Sequence, residues 1–417
     1  KYNQEEYFAV YRYNPKWNSF LIRGEEINEF YGPSRIIFRQ VSFLILGLTL
    51  LVLIMGVYLL RHILRFLRII TKSIIKMNAS QQLELINMEG ASNDDITFLG
   101  VSFNSLSSTI NNLVNIFRKF ANKDVAIKAY RDREVKLEGS QKELTCLFSD
   151  IKSFTNMTET LGTDIITLLN LHYDQAIREI IDHEGIIGSI IGDALLAVYG
   201  VMNETGVNKS YQAVLSAYKI QDVASHLRKR MSEKREEILS TKGSLTQQEE
   251  RVYKAVLIEV GVGIDGGIVF YGNIGSNERM TNTVIGDNVN SASRLEGLTR
   301  KYKVSVICSE YIKEDIQTSV PDHDLYFIEL DTVQVKGKTQ GKKVFWPILK
   351  NSLTPELEKE ITIFSQGLQH YYEGNWATAY REFLQCSTLP MAEIFKTRTR
   401  GLKAPENWVG IWAMEEK

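Results

Sequence analysis

Asp150 closes the apolar run LTCLFSD, and Asp193 sits in a Gly192-Asp193 dipeptide between the apolar runs GIIGSII and ALLAVYG. A short apolar run ending in a carboxylate fits a buried strand. Gly-Asp between two such runs fits a two-residue hairpin turn. Both carboxylates are therefore expected at strand ends, pointing into one site. Such a pair has three meanings. It can be two solvated turn residues. It can be a general acid and base for glycoside cleavage. It can hold two divalent ions for phosphoryl chemistry, because hard cations want carboxylate oxygens and keep water and phosphate in their other positions. Taken alone, the pair favours the solvated turn.

Other residues change that balance. The segment TNTVIGDNVNSASRLEGLTR reads as a strand, a Gly-Asp turn and a helix carrying Asn290 and Arg294. These are four apart and share a helix face. An amide and a guanidinium on one face can clamp an oxyanion on phosphorus. Farther on, Lys336 in VQVKGK follows a strand and offers a point charge for phosphate.

The elements that must position these groups lie between about Glu143 and Leu349, where strands and helices alternate. TDIITLLNLHYDQAIREIIDH predicts a long helix with Ile165, Leu168, Leu169, Tyr173, Ile177 and Ile180 on one side. Met202 to Val252 is longer and more polar than a minimal core needs, and its RKRMSEKREEILSTKGSLTQQEE section reads as a surface excursion, with a helix restarting at the Thr246–Glu249 capping box. Gly261, Gly263 and Gly266 spell GxGxxG, but a strand-like run follows them, so a dinucleotide site is not expected. Gly337-Lys338-Thr339 lacks the earlier glycine of a P-loop. The six histidines show no HExxH or other metal-binding spacing, and most are expected on the surface or at caps. GG[DE]EF is absent, which argues against a diguanylate cyclase.

FSDIKSFT, IGDALLAVYG, NIGS, TVIGDNVNSASRLE and VQVKGK, in that order, resemble the class III nucleotidyl (adenylate/guanylate) cyclases. The likeness covers nearly all of residues 143–349, about half of the chain. It implies an α+β, ferredoxin-like palm domain working as a head-to-tail homodimer. It implies two Mg2+ or Mn2+ ions on Asp150 and Asp193, with the Ile151 carbonyl as an added ligand. One ion would activate the ribose 3'-hydroxyl and the other would hold the triphosphate. The resemblance further implies that Arg294 stabilises charge on the α-phosphate and that Asn290 orients the ribose, both from the partner subunit. Lys336 and Arg279 would grip the outer phosphates. The base-reading positions are Ser189, where adenylyl enzymes usually carry lysine and guanylyl enzymes glutamate, and Thr283, which is similar to one bacterial adenylyl subgroup. Thr283 and the missing Glu/Cys pair favour ATP over GTP. A serine hydroxyl donates or accepts and does not choose between purines. GTP as substrate, and a weakly active or non-catalytic nucleotide transducer, stand as alternatives.

The chain has 417 residues, 44% hydrophobic and 24% charged, with 49 basic and 50 acidic side chains. Those values fit globular domains and give no broad basic face for nucleic acid. Cys146, Cys308 and Cys386 are too few and too scattered for a disulfide framework or a zinc cluster, and are expected to be reduced core thiols. Val41 to Leu60 is uncharged for 20 residues, ~30 Å of helix and the thickness of a bilayer core. Arg61, Arg65, Arg68, Lys72 and Lys76 follow it, which orients the C-terminal side to the cytoplasm of an inner or plasma membrane.

Lys1 in first position suggests a fragment. Residues 1–40 are expected to be the end of an extracytoplasmic sensor with an unknown ligand, and FAVYRYNPKWNSFLIRG reads as strands with turns. Residues 61–120 are expected to be two helices joined by a polar connector. Ile63, Phe66, Leu67, Ile70 and Ile74 point inward on the first, and Leu99, Phe103, Leu106, Ile110, Leu113 and Phe117 form an a/d seam on the second. Asn93 to Ile96, then Leu99 and Phe103-Asn104, resemble the second helix of a HAMP signalling module. A helical transducer linker is expected over 121–142, the cyclase domain over 143–350, and a helical tail over 351–417. Within that tail FSQGLQHYYEGNWATAYREF resembles one tetratricopeptide helix pair that must dock, because one repeat cannot bury its own faces.

Overall fold

In the computed structural model, the described residues are 4–80, 83–91, 93–117, 139–202, 206–276, 278, 280–334, 341–401 and 403–413. They fall into two units, Lys1–Phe117 and Arg118–Lys417. The expected linker helix near 122–138 lies outside the described residues.

In the first unit, β1 (Tyr7–Asn14) and β2 (Ser19–Glu26) pair antiparallel, from Tyr7 opposite Glu26 to Asn14 opposite Ser19. The alternating run is thus a hairpin. Residues 27–40, beyond that run, are helical. They open α1 (Ile27–Ser80), one continuous helix of 54 residues through the apolar segment and the basic segment beyond it. The boundaries expected at 40/41 and 60/61 mark changes of polarity, not of backbone, since Arg, Leu and Ile all sustain a helix. This helix alone, among the described residues, is long and apolar enough to cross a membrane.

α2 (Asp95–Phe117) begins at a cap, where Asp94 Oδ1 accepts from Thr97 N at 2.8 Å. Asn104 clasps the connector: its Oδ1 accepts from Ile86 N at 2.7 Å and its Nδ2 donates to Ile86 O at 2.9 Å. Ile70, Met77 and Ile86 are buried beside Ile96 and Phe103. Ile63, Leu67 and Ile74, expected to face inward, are exposed, as are Leu99, Leu106 and Leu113 of the a/d seam.

The second unit is built on a nine-stranded mixed sheet. Its heart is a βαββαβ succession. β3 (Gly139–Ile151) leads through α3 (Phe154–Leu161) and α4 (Ile165–Asp182) to β4 (Ile186–Ile191) and β5 (Ala194–Tyr199). α5 (Lys209–Lys242) and α6 (Gln247–Ala255) then lead to β6 (Val260–Gly275). The spatial order is β6-β3-β5-β4, all antiparallel, the ferredoxin-like arrangement. β3 pairs from Gly139 onward, ahead of the expected Glu143 boundary.

β7 (Met280–Ile285) folds back on β6, and α7 (Asp287–Tyr302) packs on the sheet. β8 (Val306–Ser309), α8 (Glu310–Ser319), β9 (Leu325–Gln334) and β10 (Lys342–Leu349) extend the sheet on the β6 side. The core between sheet and helices contains Leu147, Leu195, Ala217, Val262 and Ile264.

The polar section from Arg228 begins as the outer half of α5, a single helix of 34 residues whose buried positions end at Leu227. The Thr246–Glu249 capping box is formed and starts α6. His172 is buried on α4, and burial lowers its pKa to about 4, so the imidazole is neutral. All three cysteines are free and buried.

The tail forms α9 (Pro355–Tyr372), α10 (Trp376–Phe383) and α11 (Ala392–Thr399). Gly374 takes φ +81 at the first turn. Trp376, Ala379 and Phe383 share one core with Leu298 and Tyr302 of α7 and Leu330 of β9. The tail is not wholly helical: β11 (Trp412–Ala413) adds a parallel edge strand to β9.

Candidate active site

Asp150 stands at the end of β3, opposite Gly261 of β6. Asp193 follows Gly192 in the turn that joins β4 to β5, where Ile191 pairs with Ala194. Gly192 adopts φ +64, which a glycine tolerates without strain. Tyr173 of α4 braces this tip, its Oη donating to Gly192 O at 2.7 Å. The Asp193 carboxyl lies against Ile151 backbone and the Asp150 side chain. Burial, and then the hydrogen bond and charge of Asp150, push its pKa up to about 6.

Two carboxylates hydrogen-bonded to each other need a proton or a cation between them. A hard divalent ion would suit this pair of carboxylates. The residues present therefore fit such ions.

The cation already at hand is protein-borne. Arg300 Nη2 lies 2.6 Å from Asp150 Oδ2 and 3.4 Å from Glu296 Oε1. Glu296 and Arg300 are one turn apart on α7. Glu296 is buried, and its Oε1 has no hydrogen-bond partner among the described residues. Burial raises its pKa to about 7, with Asp150 and Asp193 adding to the rise and Arg300 and Lys152 opposing it. Gly261 makes room for this face of α7. A Cβ there would lie 2.4 Å from Thr299 Oγ1 and 2.5 Å from Glu296 Oε1. At Gly263 a Cβ would lie 2.1 Å from Ala292 O and 2.2 Å from Glu296 N. The GxGxxG spelling therefore serves close packing of helix on strand.

α7 has a second face. Asn290 and Arg294 are exposed, and lie about 120° around the axis from Glu296 and Arg300 at 100° per residue. The structure thus gathers Asp150, Ile151 and Asp193, while Asn290 and Arg294 face away from them in the same chain. Ser189 is half-buried on β4 at a register shift beside Leu196. Thr283 is half-buried on β7 opposite Gly272. Arg279 and Lys336 lie outside the described residues.

Sequence reasoning missed Glu296, Arg300 and Tyr173. The i,i+4 spacing of Glu296 and Arg300 was visible, but their meeting with Asp150 is a contact across 150 positions of sequence.

Residues 137–349 match the family described as the adenylate and guanylate cyclase catalytic domain. A terminal-differentiation-specific adenylate cyclase of Dictyostelium discoideum is 30% identical over 205 residues, 49% of this chain and 8% of that protein. An adenylate cyclase of Anabaena cylindrica is 29% identical over 251 residues, 59% of this chain and 45% of that protein. The chain therefore spans less than half the length of these two relatives. A solved bacterial light-regulated adenylyl cyclase aligns at 23% identity with a TM-score of 0.48, over 66% of this chain and 71% of that one.

Proposed function

The chain belongs to the adenylate and guanylate cyclase catalytic-domain family, and from that membership we propose a membrane-anchored adenylate cyclase that converts ATP to 3',5'-cyclic AMP and pyrophosphate at sites completed by two copies. The observation that carries this reading is the division of labour on α7. One face reaches the Asp150–Asp193 pair of its own chain, and the other holds Asn290 and Arg294 out to solvent. Ile268 and Phe270 on β6 and Ile285 on β7 are exposed apolar side chains, which supports contact with a second copy.

Bound to Asp150 and Asp193, Mg2+ or Mn2+ would supply Lewis-acid activation of the ribose 3'-hydroxyl and charge neutralisation on the triphosphate. The chain's own residues do the rest. Asp150, Asp193 and the Ile151 carbonyl fix the acceptor oxygens, with Tyr173 holding the hairpin tip in place. Arg294 of the second copy stabilises charge developing on the α-phosphate, and Asn290 orients the ribose; removing one such group typically costs about 10²–10³ in rate. Lys336 and Arg279 grip the outer phosphates. Ser189 and Thr283 read the base, and Thr283 favours adenine.

In the first unit, α1 would span the bilayer, and the exposed Leu99, Leu106 and Leu113 would pair two copies as a HAMP-like seam. Mn2+-dependent turnover of ATP and of GTP by the full chain in detergent tests the reading. ATP is expected to be preferred. A GTP preference corrects the substrate alone, and turnover of neither overturns the enzyme.

A further inference from the structure

Arg300 has two carboxylates within reach, and they are not equivalent. It meets Asp150 at 2.6 Å in a charged hydrogen bond. It stands 3.4 Å from Glu296 Oε1, an ion-pair distance that leaves this buried oxygen without a hydrogen bond among the described residues. A buried acceptor without a donor is costly, and a charged one more so. The chain nevertheless keeps a slot for it, since a side chain at position 261 would collide with Glu296 and Thr299. The Arg300 side chain is 43% exposed, so its arm can turn through solvent without breaking a packed core. Glu296 four residues before Arg300 is also the favourable order for an ion pair on a helix.

We propose that Arg300 is a two-station cation: it occupies Asp150 while the carboxylate pair is free, and transfers to Glu296 when a divalent ion takes Asp150. The transfer satisfies the orphaned Glu296 oxygen at the moment it frees Asp150. The number of ion pairs is conserved, and the arginine sets how tightly the site takes metal. A fixed orienting arginine does not explain why Glu296 is buried within reach and left without a hydrogen bond. The inference rests on the reading that Asp150 and Asp193 hold divalent ions.

The test is Mn2+ binding to the full chain in detergent micelles without nucleotide, read from the electron paramagnetic resonance signal of free Mn2+. Arg300→Met removes the competitor and is expected to tighten binding about tenfold, the scale on which a neighbouring charge shifts a carboxylate's affinity for a cation. Glu296→Gln removes the second station and is expected to weaken binding about threefold in the wild-type background. In the Arg300→Met background the same change is expected to have no effect, because nothing is left to be received.

Unchanged or weaker binding by Arg300→Met overturns the proposal, and so does an equal Glu296→Gln effect in both backgrounds. If Arg300→Met does not fold, Arg300→Gln carries the same prediction. Asp150→Asn separates the premise from the inference. Wild-type Mn2+ affinity in that variant removes the metal reading itself. Lost affinity there, with none gained in Arg300→Met, removes only the two-station arginine.

Discussion

Arg398 Nη1 of α11 lies 2.7 Å from Asp331 Oδ2 of β9, and both side chains are buried. Tyr302, the last residue of α7, donates its Oη to the same oxygen at 2.6 Å. The guanidinium also stacks over the Trp412 ring, 4.0 Å from its centroid. The tail is therefore bolted to the far end of the helix that carries Asn290 and Arg294. Removing one partner of a buried, hydrogen-bonded pair strands the other charge, at a cost of about 3–5 kcal/mol. Arg398→Met is expected to lower the melting temperature markedly. Arg398→Met with Asp331→Asn is expected to recover part of the loss, because no charge is then left unpaired. Equal melting of wild type and single variant would remove this role for the tail.

Gly263 is a second point where α7 is held. Its absent Cβ would meet the α7 main chain at Ala292 and Glu296, and main chain cannot rotate away as a side chain does. Overpacking of this kind costs about 1–3 kcal/mol. Gly263→Ala is expected to lose stability by that amount in denaturant unfolding. It should also lower turnover, because the shift displaces both faces of the helix at once. Gly297 on the same helix is the control. A Cβ added there would meet nothing within 4 Å, and Gly297→Ala is expected to be neutral or stabilising.

Local patterns were readable in the residues because they are set by neighbours in sequence. The Gly192-Asp193 turn, the capping box at Thr246 and the strand–turn–helix around Gly286 all formed. Asp150 and Asp193 could be brought to one place because each closes a strand of the same antiparallel set. The polarity changes at 40/41 and 60/61 fall inside one helix, since polarity chooses a helix's surroundings and not its hydrogen bonds. Arg300 on Asp150 and Arg398 on Asp331 were hidden for another reason. Both are tertiary contacts of exposed-type residues, and no periodicity marks them.

Glu296 gives the metal-free protein a pH signature. Its carboxyl faces Arg300 on its own helix, Asp150 and Lys152 from β3 and the turn after it, and Asp193 from the hairpin. Burial leads in raising its pKa from 4.5 to about 7. A raised carboxyl binds more protons folded than unfolded between those values. Folding stability contributed by the neutral acid is thus present below 4.5 and lost as pH rises through 7. In EDTA, stability is expected to fall by about 2–3 kcal/mol more in wild type than in Glu296→Gln over that window. Parallel pH profiles of the two proteins would refute the assignment.

Ser189 is proposed to read the base, at the position where the resemblance implies a lysine in adenylyl enzymes. Serine can donate or accept, whereas lysine only donates. A charged donor at the base edge is worth roughly 1.5–3 kcal/mol. Ser189→Lys is expected to raise kcat/KM for ATP about tenfold and to leave GTP unchanged or poorer. An unchanged ATP:GTP ratio would mean that this position does not touch the base.

The two faces of α7 make the sharpest prediction. Asp150 and Arg294 belong to one chain but, in the proposed dimer, serve different sites. Asp150→Ala spoils both sites of its homodimer, and Arg294→Ala does the same. In a mixed dimer one site inherits both defects and the other inherits neither. Random mixing makes half of the dimers mixed, each with one intact site, so about a quarter of wild-type activity should return. Each variant alone should stay at or below about 10⁻² of wild type. Activity in the mixture no higher than in either parent would mean that the pair of carboxylates and the Asn290–Arg294 face do not meet across two copies.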